Sequence, residues 1–336
     1  MERLSYMTTP TMITEPSQVA SLVDELSIAT RSLGAIGAVF ESGLAEALRE
    51  PRALDELADR VPALPRERIA RCLDVLEAYG LVTRDGERYS LAPGAVPLTR
   101  PPGRTDLLGQ IRSTLLQSRA YLEAAAHSTP ARGWYHTDPV LLQAQGDSSV
   151  GIAGAIASRL TGVLDGLAER LDRPTASFLD VGVGVAALSI AMCRAFPRLR
   201  VVGLDVFDVP LAIARENVAR AELTDRIDLR QLAIEDLRDE AAFDLVWLPA
   251  FFLTPSSVPA AIARARAALR PGGWLLMLGL ADDAPDLQRR VYALILEQWG
   301  TVTESEPIAR MVAEAGFAAP RILPGPSCYK LIAAQR

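Results

Sequence analysis

The chain has 336 residues, 49% apolar and 23% charged, with 35 basic and 41 acidic side chains and a net charge of −6. This composition excludes a disordered, collagen-like or coiled-coil chain. The acidic balance argues against a protein whose main task is to hold nucleic acid or an anionic membrane.

Domains commonly run to about 100–200 residues, so two or three are expected. Lys330 is the single lysine, which leaves one candidate for any Schiff-base or P-loop chemistry. Cys72, Cys193 and Cys328 are too far apart for metal-ligand spacing or a disulfide framework, and read as thiols of a reducing cytoplasm. Two histidines, His127 and His136, cannot build a zinc site alone, so no metal is expected.

In chain order, residues 1–16 read as a tail with no apolar signal segment. Residues 17–104 read as a helical domain. A helical pattern over Ser17–Glu50 sets Val19, Leu22, Val23 and Leu26 on one face, and Gly34, Gly37 and Gly43 then create a small-residue surface suited to close helix contact. ALDELADRV and PRERIARCLDVLEAYG are two helices, the second stopped at Gly80. LVTRDGERYSL is a hairpin turning at Asp85–Gly86. Helix, helix, hairpin is the pattern of a winged helix. The Pro-, Gly- and Arg-rich residues 93–104 read as a linker.

Residues 105–172 read as linking helices, interrupted by GWYHTDP and ending in one long helix, GIAGAIASRLTGVLDGLAERL. Residues 173–336 alternate strand and helix, which implies an α/β fold with a mostly parallel, Rossmann-like sheet covered on both faces. Leu245–Ala263 is uncharged and about as long as a bilayer span. Pro249, Pro255 and Pro259 break it into strand, loop and helix start, so a soluble protein is expected.

Two motifs carry chemistry. In FLDVGVGVAALS an apolar strand reaches Asp180, and Gly182 and Gly184 then turn the chain into a helix where backbone can approach a ligand. A carboxylate before the glycines is awkward beside a pyrophosphate, and Ala187 stands where a dinucleotide fingerprint has its third glycine. In RVVGLDV, about 20 residues on, Asp205 ends a strand and can accept hydrogen bonds from both ribose hydroxyls.

With FDLVWLP and ALRPGGWLLML behind them, these motifs resemble class I methyltransferases that use S-adenosylmethionine. The resemblance extends over residues 17–336. Its first part, with the winged-helix pattern, is similar to the dimerisation domain of small-molecule O-methyltransferases of the plant and actinobacterial antibiotic type.

The resemblance implies that Asp180, Gly182 and Gly184 lie along the methionine part of the cofactor, that Asp205 holds the ribose, and that Val206 lies beside the adenine. The family often has an aspartate after the third strand of this domain. Ala233 occupies that place here, so the adenine contact falls to backbone at Ala233 or Ile234, or to Glu235. Trp247, Leu248 and Pro249 end the fourth strand, where the family places the reacting methyl group. Tyr135, Trp247, Phe251 and Phe252 are expected to line an apolar acceptor pocket roofed by the 105–150 helices. A homodimer is expected.

The family's catalytic histidine just past the fourth strand is missing, since LPAFFLTP holds no His, Asp, Glu or Lys. A phenol with a pKa near ~10 stays mostly protonated at neutral pH. The base then comes from elsewhere (His136, Tyr135, Asp138 or His127), or the acceptor needs none and transfer rests on alignment. A third account is that no methyl is transferred and the bound cofactor's charge promotes a cyclisation or rearrangement. The NPPY-type signature of amino-methylating nucleic-acid enzymes is absent. A winged-helix regulator is the remaining rival. It is disfavoured by Glu67, Asp74 and Glu77 among Arg66, Arg68 and Arg71.

Overall fold

A computed structural model describes residues 12–125 and 134–336. His127 lies outside the described residues. The chain divides into two compact units, which among the described residues are 12–122 with 147–151, and 123–125, 134–146 and 152–336.

The first unit opens with helices α1 (Pro16–Glu41) and α2 (Leu44–Ala47). Then come a short strand β1 (Arg52–Ala53) and helices α3 (Leu54–Arg60) and α4 (Arg66–Ala78). The hairpin β2 (Val82–Asp85) and β3 (Arg88–Leu91) follows, then helix α5 (Gly103–Ala125). Helix α1 runs through Gly34 and Gly37 and stops before Gly43, whose φ of +84° only glycine adopts easily. A Cβ at Gly37 would meet Ile111 of α5 at 3.2 Å, so Gly37 permits a close helix contact within the unit, whereas a Cβ at Gly34 or Gly43 would meet nothing within 4 Å.

Leu57, Ile69, Leu73 and Leu76 recur at helical spacing and are fully buried with Phe40, Leu44 and Leu48. Strand β1 joins the hairpin in the order β1-β3-β2, which the two-residue signal in the sequence did not disclose. The expected linker is partly helical, with a 3₁₀ turn over Pro93–Thr99 closed by the Thr99 hydroxyl donating to the Val96 carbonyl at 2.9 Å.

Apart from residues 147–151, the next elements belong to the second unit: α6 (Pro139–Asp147), α7 (Val150–Ala155), a π turn at Ile156–Leu160, α8 (Thr161–Val163) and α9 (Leu167–Leu171). The single long helix expected here is broken, because Leu164 is extended and Gly166 takes φ +68°.

There follow β4 (Ser177–Val181), α10 (Ala187–Ala195), β5 (Arg200–Asp205), α11 (Asp208–Arg220) and β6 (Ile227–Gln231). Next are β7 (Phe243–Trp247), α12 (Val258–Ala268) and β8 (Leu269–Leu280). The unit closes with α13 (Asp286–Trp299), α14 (Ser305–Glu314), β9 (Arg321–Pro324) and β10 (Tyr329–Gln335). The seven strands form one sheet in the order β6-β5-β4-β7-β8-β10-β9, parallel except for β10, which runs antiparallel to both neighbours.

Both faces of the sheet are covered. Phe178, Leu245 and Trp247 face one side with Leu167, Leu188 and Leu211, and Leu179, Val246 and Leu248 face the other with Ile262, Ala265 and Val312. This two-residue alternation is the strand period, and burial of both faces is why these strands read as continuous apolar runs. No described helix is long and apolar enough to cross a membrane.

Candidate active site

The strand order reverses between β4 and β7: β5 and β6 extend to one side, β7 and β8 to the other. In open α/β sheets such a switch point leaves a crevice at the carboxyl ends of the strands. Asp180, Gly182, Gly184 and Asp205 all lie there.

The glycine turn is held from two sides. The Val183 N–H donates to the Leu204 carbonyl at 2.8 Å, and the Gly184 N–H donates to Asp205 Oδ2 at 2.9 Å. Gly182 and Gly184 have φ of +70° and +54°, and Ala186, which enters α10, is also left-handed at +63°. A Cβ at Gly182 or Gly184 would meet nothing nearer than 3.8 Å, so here glycine is required by conformation and the ligand side of the turn is open.

Gly203 is different, since a Cβ there would lie 2.6 Å from Val183 Cγ2 and 2.9 Å from its Cβ. The turn is packed onto β5 through this missing side chain. Gly203→Val is expected to destabilise the fold by about 1–3 kcal/mol, the usual range for overpacking. Urea unfolding of the variant checks this, and an unchanged midpoint would show that the turn is not held there.

Asp180 is buried on β4 and accepts a 2.6 Å hydrogen bond from the hydroxyl of buried Ser189. Burial pushes its pKa up to about 7; the Ser189 bond opposes this and the charge of Asp205 adds to it. Asp205 is also raised by burial, against the pull of backbone N–H groups at Phe207, Gly184 and Val206. Its Oδ1 accepts from the Phe207 N–H at 3.0 Å and its Oδ2 from Gly184, so the carboxylate is fixed in orientation, and each oxygen keeps acceptor capacity for a ligand hydroxyl. Val206, beside it, is 50% exposed.

Leu248 and Trp247 lie in the two core layers of the sheet. Leu248 is wholly buried and packs in the far-face core, and its N–H donates to Leu276, so its side chain does not reach the crevice. Trp247 is a core side chain on the opposite face, in the layer that holds Leu245 and Trp274 and against which Phe251 packs. Ile234 likewise buries its side chain in the core, which leaves its backbone and that of half-buried Ala233 at the end of β6.

Beyond β7, Phe251 and Phe252 stand together, with ring centroids 4.7 Å apart. Phe252 stacks on Trp299 at the end of α13 (5.2 Å, 24°), and Trp134 meets both edge-on at 5.2 and 5.5 Å. His136 packs edge-on against Trp134 at 4.6 Å. Tyr135, between them in sequence, instead contacts Phe207 at 5.7 Å, two residues past Asp205. Pro249 links the two regions, 3.8 Å from the Cβ position of Gly182.

Sequence reasoning missed Ser189, Phe207, Trp134 and Trp299 as site residues. Trp134 stands in the GWYHTDP segment already singled out, whereas Trp299 gave no local signal. His136 has its pKa lowered by burial, with Asp138 opposing. Among the described residues no cluster of His, Cys, Asp or Glu has the makings of a metal site.

Residues 178–273, which span the glycine turn, Asp205 and β7, match the family model of a methyltransferase domain. The chain carries a methyltransferase domain.

It is 34% identical over 76 residues to the release factor glutamine methyltransferase of Rhodopirellula baltica, covering 22% of this chain and 26% of that one. The chain spans between a quarter and about half the length of the curated relatives it matches. Among solved structures, the pyocyanin biosynthetic protein PhzM superposes with a TM-score of 0.66 at 20% identity, over 96% of this chain and 100% of that one. CalO1, a methyltransferase of calicheamicin biosynthesis in its S-adenosylhomocysteine-bound form, gives 0.62 at 17% identity, over 96% and 99%. The fold of the methyltransferase domain, with the helical region before it, is therefore shared along nearly the whole chain.

Proposed function

We propose that the protein transfers a methyl group from S-adenosylmethionine to a small-molecule acceptor of the kind made in secondary metabolism. The observation that carries this reading is the fixed Asp205 carboxylate beside an open glycine turn, with an aromatic cluster one strand away. Asp205 would hold the ribose hydroxyls, Val206 and the backbone of Ala233 and Ile234 the adenine, and Gly182, Gly184 and Asp180 the methionine end.

The cofactor supplies an electrophilic methyl on sulfur. The chain aligns acceptor and donor, excludes water with Phe251, Phe252, Trp134 and Trp299, and takes the acceptor's proton. Phe252 and Trp299 are stacked, so an acceptor seated between those two rings would displace one. Trp134 is the ring carried by neither helix nor strand.

His136 is the proposed base. Its lowered pKa keeps the imidazole neutral and able to accept a proton near pH 7. His136→Gln is expected to lower kcat on a phenolic acceptor by about a hundredfold, within the usual range for losing a general base, and to leave cofactor affinity unchanged. The test is release of S-adenosylhomocysteine across a panel of phenols and acidic enols. Cofactor binding with no turnover on any of them would instead favour the reading in which the bound charge promotes a rearrangement.

The first unit is proposed to be a winged-helix dimerisation domain. Val19, Leu22, Val23 and Leu26 form a helical stripe on α1 and are 43–56% exposed. A cleft of about 320 Å³ lined by Leu33, Ile36, Phe40, Leu107 and Ile111 lies along the same helix and is of a size to take the stripe of a second copy. DNA binding is disfavoured because Arg66 pairs with Asp55 at 2.5 Å and Arg71 with Asp74 at 3.3 Å. The double variant Leu22→Glu, Leu26→Glu is expected to sediment as a monomer where the parent sediments as a dimer. A monomeric parent would refute the assignment.

A further inference from the structure

We infer that Asn217, with Gly146, is a positioning residue for the glycine turn, and that it acts by locking Ala186 in a left-handed conformation. This deepens the cofactor reading above and rests on it.

Three alternate residues of the turn, Gly182, Gly184 and Ala186, have φ of +70°, +54° and +63°. The two glycines reach this region without steric cost. Ala186 does not, because a Cβ in the left-handed region crowds the following carbonyl oxygen. Ala186 is also fully buried, and α10 starts from it. Such a conformation persists only where its surroundings over-determine it, and strain of this kind gathers at ligand clamps.

The restraints on Ala186 can be named. Its φ is the rotation between its Cα and the peptide that joins it to Val185. The N–H of that peptide donates to the Val183 carbonyl at 2.9 Å. The carbonyl of the same peptide, that of Val185, accepts from the Asn217 side-chain amide at 3.0 Å. On the other side, the Ala186 carbonyl accepts from the Ile190 N–H of α10 at 2.9 Å. Both peptides flanking Ala186 are therefore fixed, and of these partners Asn217 alone uses a side chain.

Asn217 comes from α11 and is itself oriented. Its amide nitrogen also donates to Gln143 Oε1 of α6 at 2.9 Å, and its Oδ1 accepts from Arg220 at 3.0 Å. Further along α6, Gly146 lies against the turn, where a Cβ would be 2.2 Å from Val185 Cγ2 and 3.6 Å from Ala187 Cβ. Val185 is buried and β-branched, so it has little freedom to give way. Gly184, one residue before Val185, gives its N–H to Asp205 Oδ2. A shift at Val185–Ala186 thus passes into the turn and the carboxylate together.

Calorimetry of the full chain with S-adenosylhomocysteine tests the assignment. Asn217→Ala is expected to weaken binding by about tenfold, near the worth of one hydrogen bond. Asn217→Asp keeps the shape but donates nothing, and Gly146→Ala pushes on Val185, so both should show a similar loss. Arg220→Ala, which removes only the partner of Oδ1, should stay within about twofold of the parent. The deciding background is Ala186→Gly, because glycine takes the left-handed conformation without being held there. In that background Asn217→Ala should weaken binding by no more than about threefold, a coupling that a general loss of stability does not produce. Thermal melts without ligand establish that each variant is folded.

Equal losses in the two backgrounds would overturn the assignment, as would an Asn217→Ala protein that binds like the parent. In both cases the parent binds and the cofactor reading stands. A parent that binds no S-adenosylhomocysteine would remove the cofactor reading and this assignment together.

Discussion

Asp180→Asn is expected to make the protein more stable at pH 8 and to flatten the dependence of its stability on pH between about 4 and 7. Asp180 is fully buried and its pKa is pushed up to about 7. Below pH ~4 the carboxyl is neutral in both the folded and the unfolded chain, so it imposes no penalty. Between there and pH 7 the unfolded chain releases this proton and the folded chain keeps it, so stability falls as pH rises.

Above pH 7 both states are ionised and the difference is constant, at roughly 4 kcal/mol from about 1.36 kcal/mol per pH unit. The amide that replaces the carboxyl in this variant can still accept from Ser189 and has no charge to bury. Urea titrations of parent and variant at pH 5 and pH 8 measure the difference. Other groups titrate in this window, so the comparison is between the two proteins and not within one. Equal pH slopes would show that Asp180 is ionised in the folded chain throughout.

Asp205→Ala is expected to weaken S-adenosylhomocysteine by about a hundredfold or more. Two hydrogen bonds to a charged acceptor are lost, each worth about 1.5–3 kcal/mol. The variant also releases the Gly184 and Phe207 N–H groups that now fix the glycine turn and the start of α11. Asp205→Asn retains two acceptor positions at one oxygen only, so it should fall between parent and alanine. Calorimetry measures all three. Undiminished affinity in Asp205→Ala would move the ribose elsewhere.

The sheet, the glycine turn and the strand-ending carboxylate were legible because their determinants are local. An apolar run ending in Asp180 with glycines at 182 and 184, and a second ending in Asp205, specify strand, turn and carboxylate within a dozen residues each. Which face each side chain takes was less legible. Leu248 and Trp247 are adjacent, and the alternation of a strand buried on both faces sends them into opposite core layers. An all-apolar strand carries no polar residue to announce that alternation.

Tyr135 was grouped with Trp247, Phe251 and Phe252, whereas its ring contact is with Phe207. Its partner, Phe207, is far off in sequence and meets it only through the fold. The break at Leu164–Gly166 shows the same limit, since a lone glycine in a helical pattern is tolerated as often as it ends one.

S-adenosylmethionine is proposed to bind at the β4–β7 switch point. Calorimetry of the full chain with S-adenosylhomocysteine tests it most directly. Micromolar, one-to-one binding is the predicted result, and no detectable heat or thermal stabilisation at millimolar ligand would contradict it.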